Sequence, residues 1–338
     1  MAQDNLSYYE SESEGKSVAI VGVPMGLGSD ERGLQDAPRY LLDHGLEDVI
    51  ASIGAEITDI IMVPCRNPER VVSAGYAKYL DEVIAASRVS SVVVGRAVRR
   101  GDFVLALGGD HSIALGTIAG AATALEHRTL GVIWIDAHPD ANTDTSTFSG
   151  NIHGMPAAAL MGFGHPLLTG VGREKECSVL PEHFLYLGLK DIDKAEIDFL
   201  RRESISAITM LDIAERGLAR AMRAIDALRR KVDVVWVSMD MDSIDKEYAP
   251  GVGMPTSGGL TRREALALAH YIGHTCLLAG IDVVEIHPAK DEKEKTTTLA
   301  FELIALFLGG KYSWYEKYMD DYRHTNISNE RTKVRRSK

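Results

Sequence analysis

Asp136, His138 and Asp140 follow the apolar run Gly131-Val-Ile-Trp-Ile135 at alternating positions, and all three side chains can bind a metal ion. Two more apolar runs end the same way: Phe103-Val-Leu-Ala-Leu107 leads into Gly108-Gly-Asp-His111, and Val234-Val-Trp-Val-Ser-Met239 leads into Asp240-Met-Asp242. On a straight strand, positions i, i+2 and i+4 stand in a row on one face; where the chain bends out of a strand they can converge. A lone Asp in such a place is as readily a helix N-cap or turn residue. Three such clusters at the carboxyl ends of strands, where open parallel sheets bind ligands, point instead to a metal centre. Four carboxylates and two imidazoles with no nearby cysteine suit a hard to borderline divalent ion. Manganese fits best, with iron, cobalt, nickel or zinc as substitutes and calcium disfavoured. Six ligands are too many for one ion with an open position. With Asp136 or Asp240 bridging they fit two, the arrangement of a two-metal hydrolytic centre.

Strands must position these groups. Expected strands are Ser17–Val23, Glu56–Met62, Phe103–Leu107, Gly131–Ile135, Phe184–Leu187, Ala207–Leu211, Val232–Ser238 and Gly280–Glu285, with helical segments between them such as Ser112–His127, Asp212–Arg230 and Thr261–His274. That alternation predicts a parallel α/β sheet. A chain of 338 residues, 45% hydrophobic, is long and apolar enough to bury one large core, so a single domain over 17–311 is expected. Residues 1–16 read as a flexible leader, and 312–338 as an extension, first aromatic and then basic, that docks on a neighbouring subunit or is disordered. A net charge of -11 argues against nucleic acid as a partner. No apolar run of membrane-spanning length and no targeting peptide is apparent, so the expected location is cytoplasmic. Cys65, Cys177 and Cys276 are odd in number and widely spaced, which fits free thiols.

Gly108-Gly-Asp-His-Ser112, Asp136-Ala-His-Pro-Asp140, Ser149-Gly-Asn-Ile-His-Gly154 and Ser238-Met-Asp-Met-Asp242 occur in an order and spacing that resemble the arginase family of ureohydrolases, in its bacterial type. The likeness runs from about Val18 to about Lys311. It implies a three-layer α/β/α domain around a mostly parallel sheet of about eight strands, two manganese ions, and hydrolysis of a guanidinium to urea and an amine. Carried over by motif, His111, Asp136, Asp140 and Asp240 would hold one ion, and Asp136, His138, Asp240 and Asp242 the other. The resemblance further implies that hydroxide bridging the ions attacks the guanidinium carbon and that Asp140 orients it. Glu285 would pair with the guanidinium, and His153 would shuttle a proton to the leaving amine. Asn142, Thr147 and Ser149 match positions that hold an α-carboxylate, and Asp193 and Glu196 match positions at the α-ammonium. From the residues alone, the last two read equally well as acids in a helix's first turn. A homotrimer or homohexamer is the implied assembly.

Two positions depart from the family pattern. Met254, in Gly253-Met-Pro-Thr256, replaces a threonine with a thioether, and Lys246 replaces a loop proline. The first keeps open a sister activity on agmatine, guanidinobutyrate or a modified arginine. A more distant alternative is a catalytically silent, arginase-like binding protein; the complete ligand set argues against it, because clustered carboxylates repel one another without cations.

Overall fold

The structure is a computed structural model and describes residues 12–66, 75–172 and 178–311. Eight strands form one sheet: β1 (Ser17–Val23), β2 (Glu56–Met62), β3 (Phe103–Gly108), β4 (Leu130–Ile135), β5 (Phe184–Leu189), β6 (Ser206–Thr209), β7 (Val234–Asp240) and β8 (Leu278–Val284). Their order is β2-β1-β3-β8-β7-β4-β5-β6, and every pairing is parallel. The expected eight-stranded α/β/α architecture is present.

Central strands are buried on both faces, which explains why they read as unbroken apolar runs. Alternate residues feed two cores. Val21, Ala106, Trp134 and Trp236 meet Val83 and Val94 of the helix Leu80–Arg100 and Leu115 and Ile118 of the helix Ala114–Ala124. Ile20, Leu105, Ile133 and Val237 meet the helices Ala37–Asp43, Leu46–Ser52, Leu218–Arg229, Arg262–Thr275 and Lys295–Phe307 on the other face. Edge strand β2 is half-open on both sides, and exposes Ile60 and Met62.

Three local expectations are revised. β6 stops at Thr209 because that residue, with Asp212, forms a reciprocal capping box that starts the helix Met210–Arg216. The helix expected over 212–230 is two, broken at Gly217, whose φ of 65° and ψ of 179° no helix accommodates. Residues 12–16, assigned to the leader, are tied down: Ser13 is buried and donates to Ile53 O, and Lys16 Nζ donates to Leu308 O. Residues 1–11, Cys177 and the extension 312–338 lie outside the described residues. Cys65 and Cys276 are free thiols; burial, then the charge of Asp110, pushes Cys65 up to about 12. Among the described residues, no helix is long and apolar enough to cross a membrane.

Candidate metal centre

β3, β8, β7 and β4 are neighbours at the middle of the sheet, and each ends in a functional carboxylate or imidazole. His111 follows β3 by way of Gly109, whose Cβ position would lie 1.8 Å from Met25 O, so only glycine fits there. Asp136 follows β4, Asp240 closes β7, and Glu285 follows β8 with its N–H donating to Gly109 O at 2.8 Å. His138 and Asp140 lie past the bend after β4, so the alternating trio converges. His111 Nδ1 has oxygens of Asp136, Asp140 and Asp240 at 3.1, 2.9 and 3.1 Å. His138 Nδ1 has oxygens of Asp136 and Asp242 at 3.5 and 3.3 Å. Two ligand groups result, His111 with Asp136 and Asp240, and Asp136 with His138 and Asp242; Asp136 belongs to both.

These donor atoms fit metal ions better than one another. Despite its three carboxylate neighbours, His111 Nδ1 is fully buried and makes no hydrogen bond, and Asp242 Oδ1 is likewise orphaned. Buried polar atoms are normally satisfied, so atoms left bare at the centre of a ligand cluster call for a cation. Electrostatics agree: burial and the charge of Asp136 push the Asp140 carboxyl up to about 6, and burial with neighbouring carboxylates raises Asp240 and Asp242. Divalent cations relieve that repulsion.

Buried partners aim the ligands. His111 Nε2 lies 2.8 Å from Ser238 Oγ, whose own hydroxyl donates to Asp282; Asp282 also accepts from Trp236 Nε1 at 2.8 Å and Thr117 Oγ1 at 3.0 Å. With Ser238 spending its hydrogen on Asp282, His111 Nε2 must carry a proton and Nδ1 is left bare for metal. Trp134 stacks on the His111 ring at 4.2 Å and donates to Asp136 at 2.9 Å. A charged residue inside the apolar run Ile281-Asp-Val-Val was the available signal for Asp282, and it went unread.

A cavity of about 430 Å³ opens over the cluster, lined by His138, Asp140, Asp240, Asp242, His153 and Glu285 at its floor and by Asn142, Asp191, Ile192, Asp193, Glu196 and Met254 elsewhere. Glu285 Oε1 accepts from His111 N at 2.9 Å and lies 3.1 Å from His153 Nδ1. Burial opposes charging His153, but the hydrogen bond and charge of Glu285 prevail and bring it up to about 9. Asp140 (φ 49°) and Glu285 (φ 63°) both sit in left-handed backbone, strain of the kind that gathers at functional sites. Asp193 and Glu196 satisfy both sequence readings: they form the capping box of the helix Lys194–Arg202 and also line the cavity. Burial pushes Glu196 up to about 8 against backbone N–H groups that favour its charge. Asn142 Nδ2 donates to Asp193 at 2.7 Å. Thr147 and Ser149 are not among the described lining residues; their oxygens accept from Gly150 N and Asn151 N, which leaves each hydroxyl hydrogen available. Asp191 and Ile192, lining residues beside Asp193, were not foreseen.

A parallel sheet whose central strands gather His111, Asp136, Asp140 and Asp240, with His138 and Asp242 beside them, defines an arginase-type binuclear metal-binding site in a ureohydrolase. Comparison with known proteins agrees. The Arginase family model matches residues 16–309, and the chain belongs to that family. It is 38% identical to the arginase of Bacillus caldovelox, over 88% of this chain and 99% of that one, and the native crystal structure of that enzyme superposes with a TM-score of 0.84, covering 88% and 100%. Rat mitochondrial arginase-2 is 36% identical, over 87% of this chain and 85% of its own. Entamoeba histolytica arginase in complex with L-ornithine, 29% identical, gives a TM-score of 0.82 and covers 88% and 99%.

Proposed function

We propose that this protein hydrolyses L-arginine to L-ornithine and urea, with two manganese ions held by His111, Asp136, Asp140 and Asp240 and by Asp136, His138, Asp240 and Asp242. The observation that carries this reading is that Glu285, a buried carboxylate outside the ligand set, faces the same cavity as His138, Asp140, Asp240 and Asp242 and accepts from the backbone N–H of His111. Bound divalent cations would lower the pKa of water and stabilise charge developing at the carbon under attack. The chain's own groups do the rest. Glu285 Oε1 is taken by His111 N–H and His153, which leaves Oε2 to pair with a planar cation. Asp140, beside His111 and lining the cavity, would hold the attacking water's remaining proton. His153, protonated below about pH 9 and hydrogen-bonded through Nδ1, has no protein partner for Nε2 among the described residues, so it can hand a proton to the departing amine. Asp193 and Glu196 would take the α-ammonium, and Asn142 with the Thr147 and Ser149 hydroxyls the α-carboxylate.

A second reading, agmatine in place of arginine, is favoured by one feature: no Lys or Arg lines the cavity among the described residues, so no ammonium or guanidinium awaits a carboxylate. The half-exposed thioether of Met254 in that wall leans the same way. Manganese-loaded protein would be assayed for urea release from L-arginine, agmatine and 4-guanidinobutyrate, with Asp140→Asn as blank. A preference for arginine is expected; release from agmatine alone would transfer the protein to the second reading. The cytoplasm is the proposed location and a homotrimer or homohexamer the proposed assembly, the latter checked by weighing the protein in solution.

A further inference from the structure

His153 lies on a loop, not a strand end, and something must hold that loop against Glu285. Its backbone N–H donates to Gly28 O at 3.0 Å, on the segment between β1 and the helix Ala37–Asp43. Two residues earlier, both ends of the Asn151 amide are engaged: Nδ2 donates to Asp30 at 3.1 Å, and Oδ1 accepts from Lys78 Nζ at 2.9 Å. Lys78 Nζ also donates to both Asp30 oxygens at 2.9 and 2.8 Å, which closes a three-membered ring, and the Lys78 backbone N–H donates to Gly150 O at 2.8 Å. Two segments far apart in sequence, 28–30 and the one carrying Lys78, thus meet on the His153 loop. As an isolated surface ion pair, Lys78 with Asp30 would contribute little, since the Asp30 side chain is 67% exposed. Its geometry matters more, because it fixes the Asn151 amide two residues from an imidazole that must stay aligned.

We propose that Lys78, Asp30 and Asn151 form a clasp that positions His153 for proton transfer, with Lys78 and Asp30 as positioning residues that touch neither substrate nor metal; the catalytic part of this inference rests on the arginase reading above. Misplacing a reacting group by about an ångström costs roughly a hundred-fold in rate. Loosening a loop costs less, so Lys78→Met is expected to lower kcat about ten-fold, with KM and manganese content near those of the wild type. Lys78→Arg, which keeps charge and donors, should recover most of the loss, whereas a merely destabilised fold would not be rescued and would lose metal as well. Amide hydrogen exchange on the same variants, followed over 149–155, should quicken in Lys78→Met and return in Lys78→Arg. Unchanged kcat, a proportional rise in KM, or loss of metal would each overturn the clasp. If the wild type hydrolyses no guanidino compound, the functional reading fails separately, and exchange still decides the clasp: wild-type rates over 149–155 in Lys78→Met would refute it.

Discussion

The floor and the wall of the cavity are built differently. At and behind the floor, the metal-cluster residues and Glu285 stand at or just beyond the ends of four adjacent central strands, with His153 alone carried by a loop, and their positions follow from the sheet: Asp136, Asp240 and His111 are 0–2% exposed, backed by Ser238, Asp282 and Trp134. Wall residues stand on loops and on one helix cap, and Met254 is 45% exposed. Metal chemistry is therefore rigidly held, while substrate choice rests on residues that can change without disturbing the core.

Five measurements would break or sharpen this contrast. Asp136→Asn, at the ligand shared by both groups, should abolish binding of two metals and lower turnover by about three orders of magnitude, since bound cations supply several kcal/mol of charge stabilisation; full metal content by elemental analysis would contradict it. His153→Asn should keep both metals and cost about 10²- to 10⁴-fold in kcat, the usual worth of a general acid. Its protonation offers a further check. The His153 pKa is raised by Glu285, so the stability this pair adds is full below about pH 6.5 and fades as pH rises through about 9. In Glu285→Gln the imidazole midpoint, followed by NMR, should fall sharply; an unmoved midpoint would detach the two groups. Asp282→Asn should weaken metal affinity by about 10- to 100-fold, as loss of a buried orienting partner does, and leave KM at saturating metal little changed. Met254→Thr restores a hydroxyl to the wall and should shift the arginine-to-agmatine ratio of kcat/KM by about two- to ten-fold, the worth of one hydrogen bond, with no effect on metal content. A change in metal content there would mean that wall and floor are not separable.

The same contrast explains what could be read from sequence. The residues that gather at the cluster, and Glu285 beside them, were legible as candidates because charge at the end of an apolar run is conspicuous, and the bounds of β1 and β2 were foreseen to the residue. Helices were harder: the longest among the described residues, Leu80–Arg100, was not anticipated, and the break at Gly217 turned on one backbone angle in a helical pattern. For Asp193 and Glu196, spacing alone could not say whether the acids cap a helix or face a ligand, because they do the first in a place that allows the second. The clasp of Asp30, Lys78 and Asn151 was invisible for a plainer reason: its members are 48, 73 and 121 positions apart, and only the fold brings them together.

Glu12 N donates to Gly309 O at 2.9 Å, so the two ends of the folded domain meet at the edge where β1 begins, opposite the edge that carries the ligands. For anyone fixing this enzyme to a bead or fusing it to a second protein, a tether joined at residue 12 or residue 309 leaves from the side opposite the metal cluster.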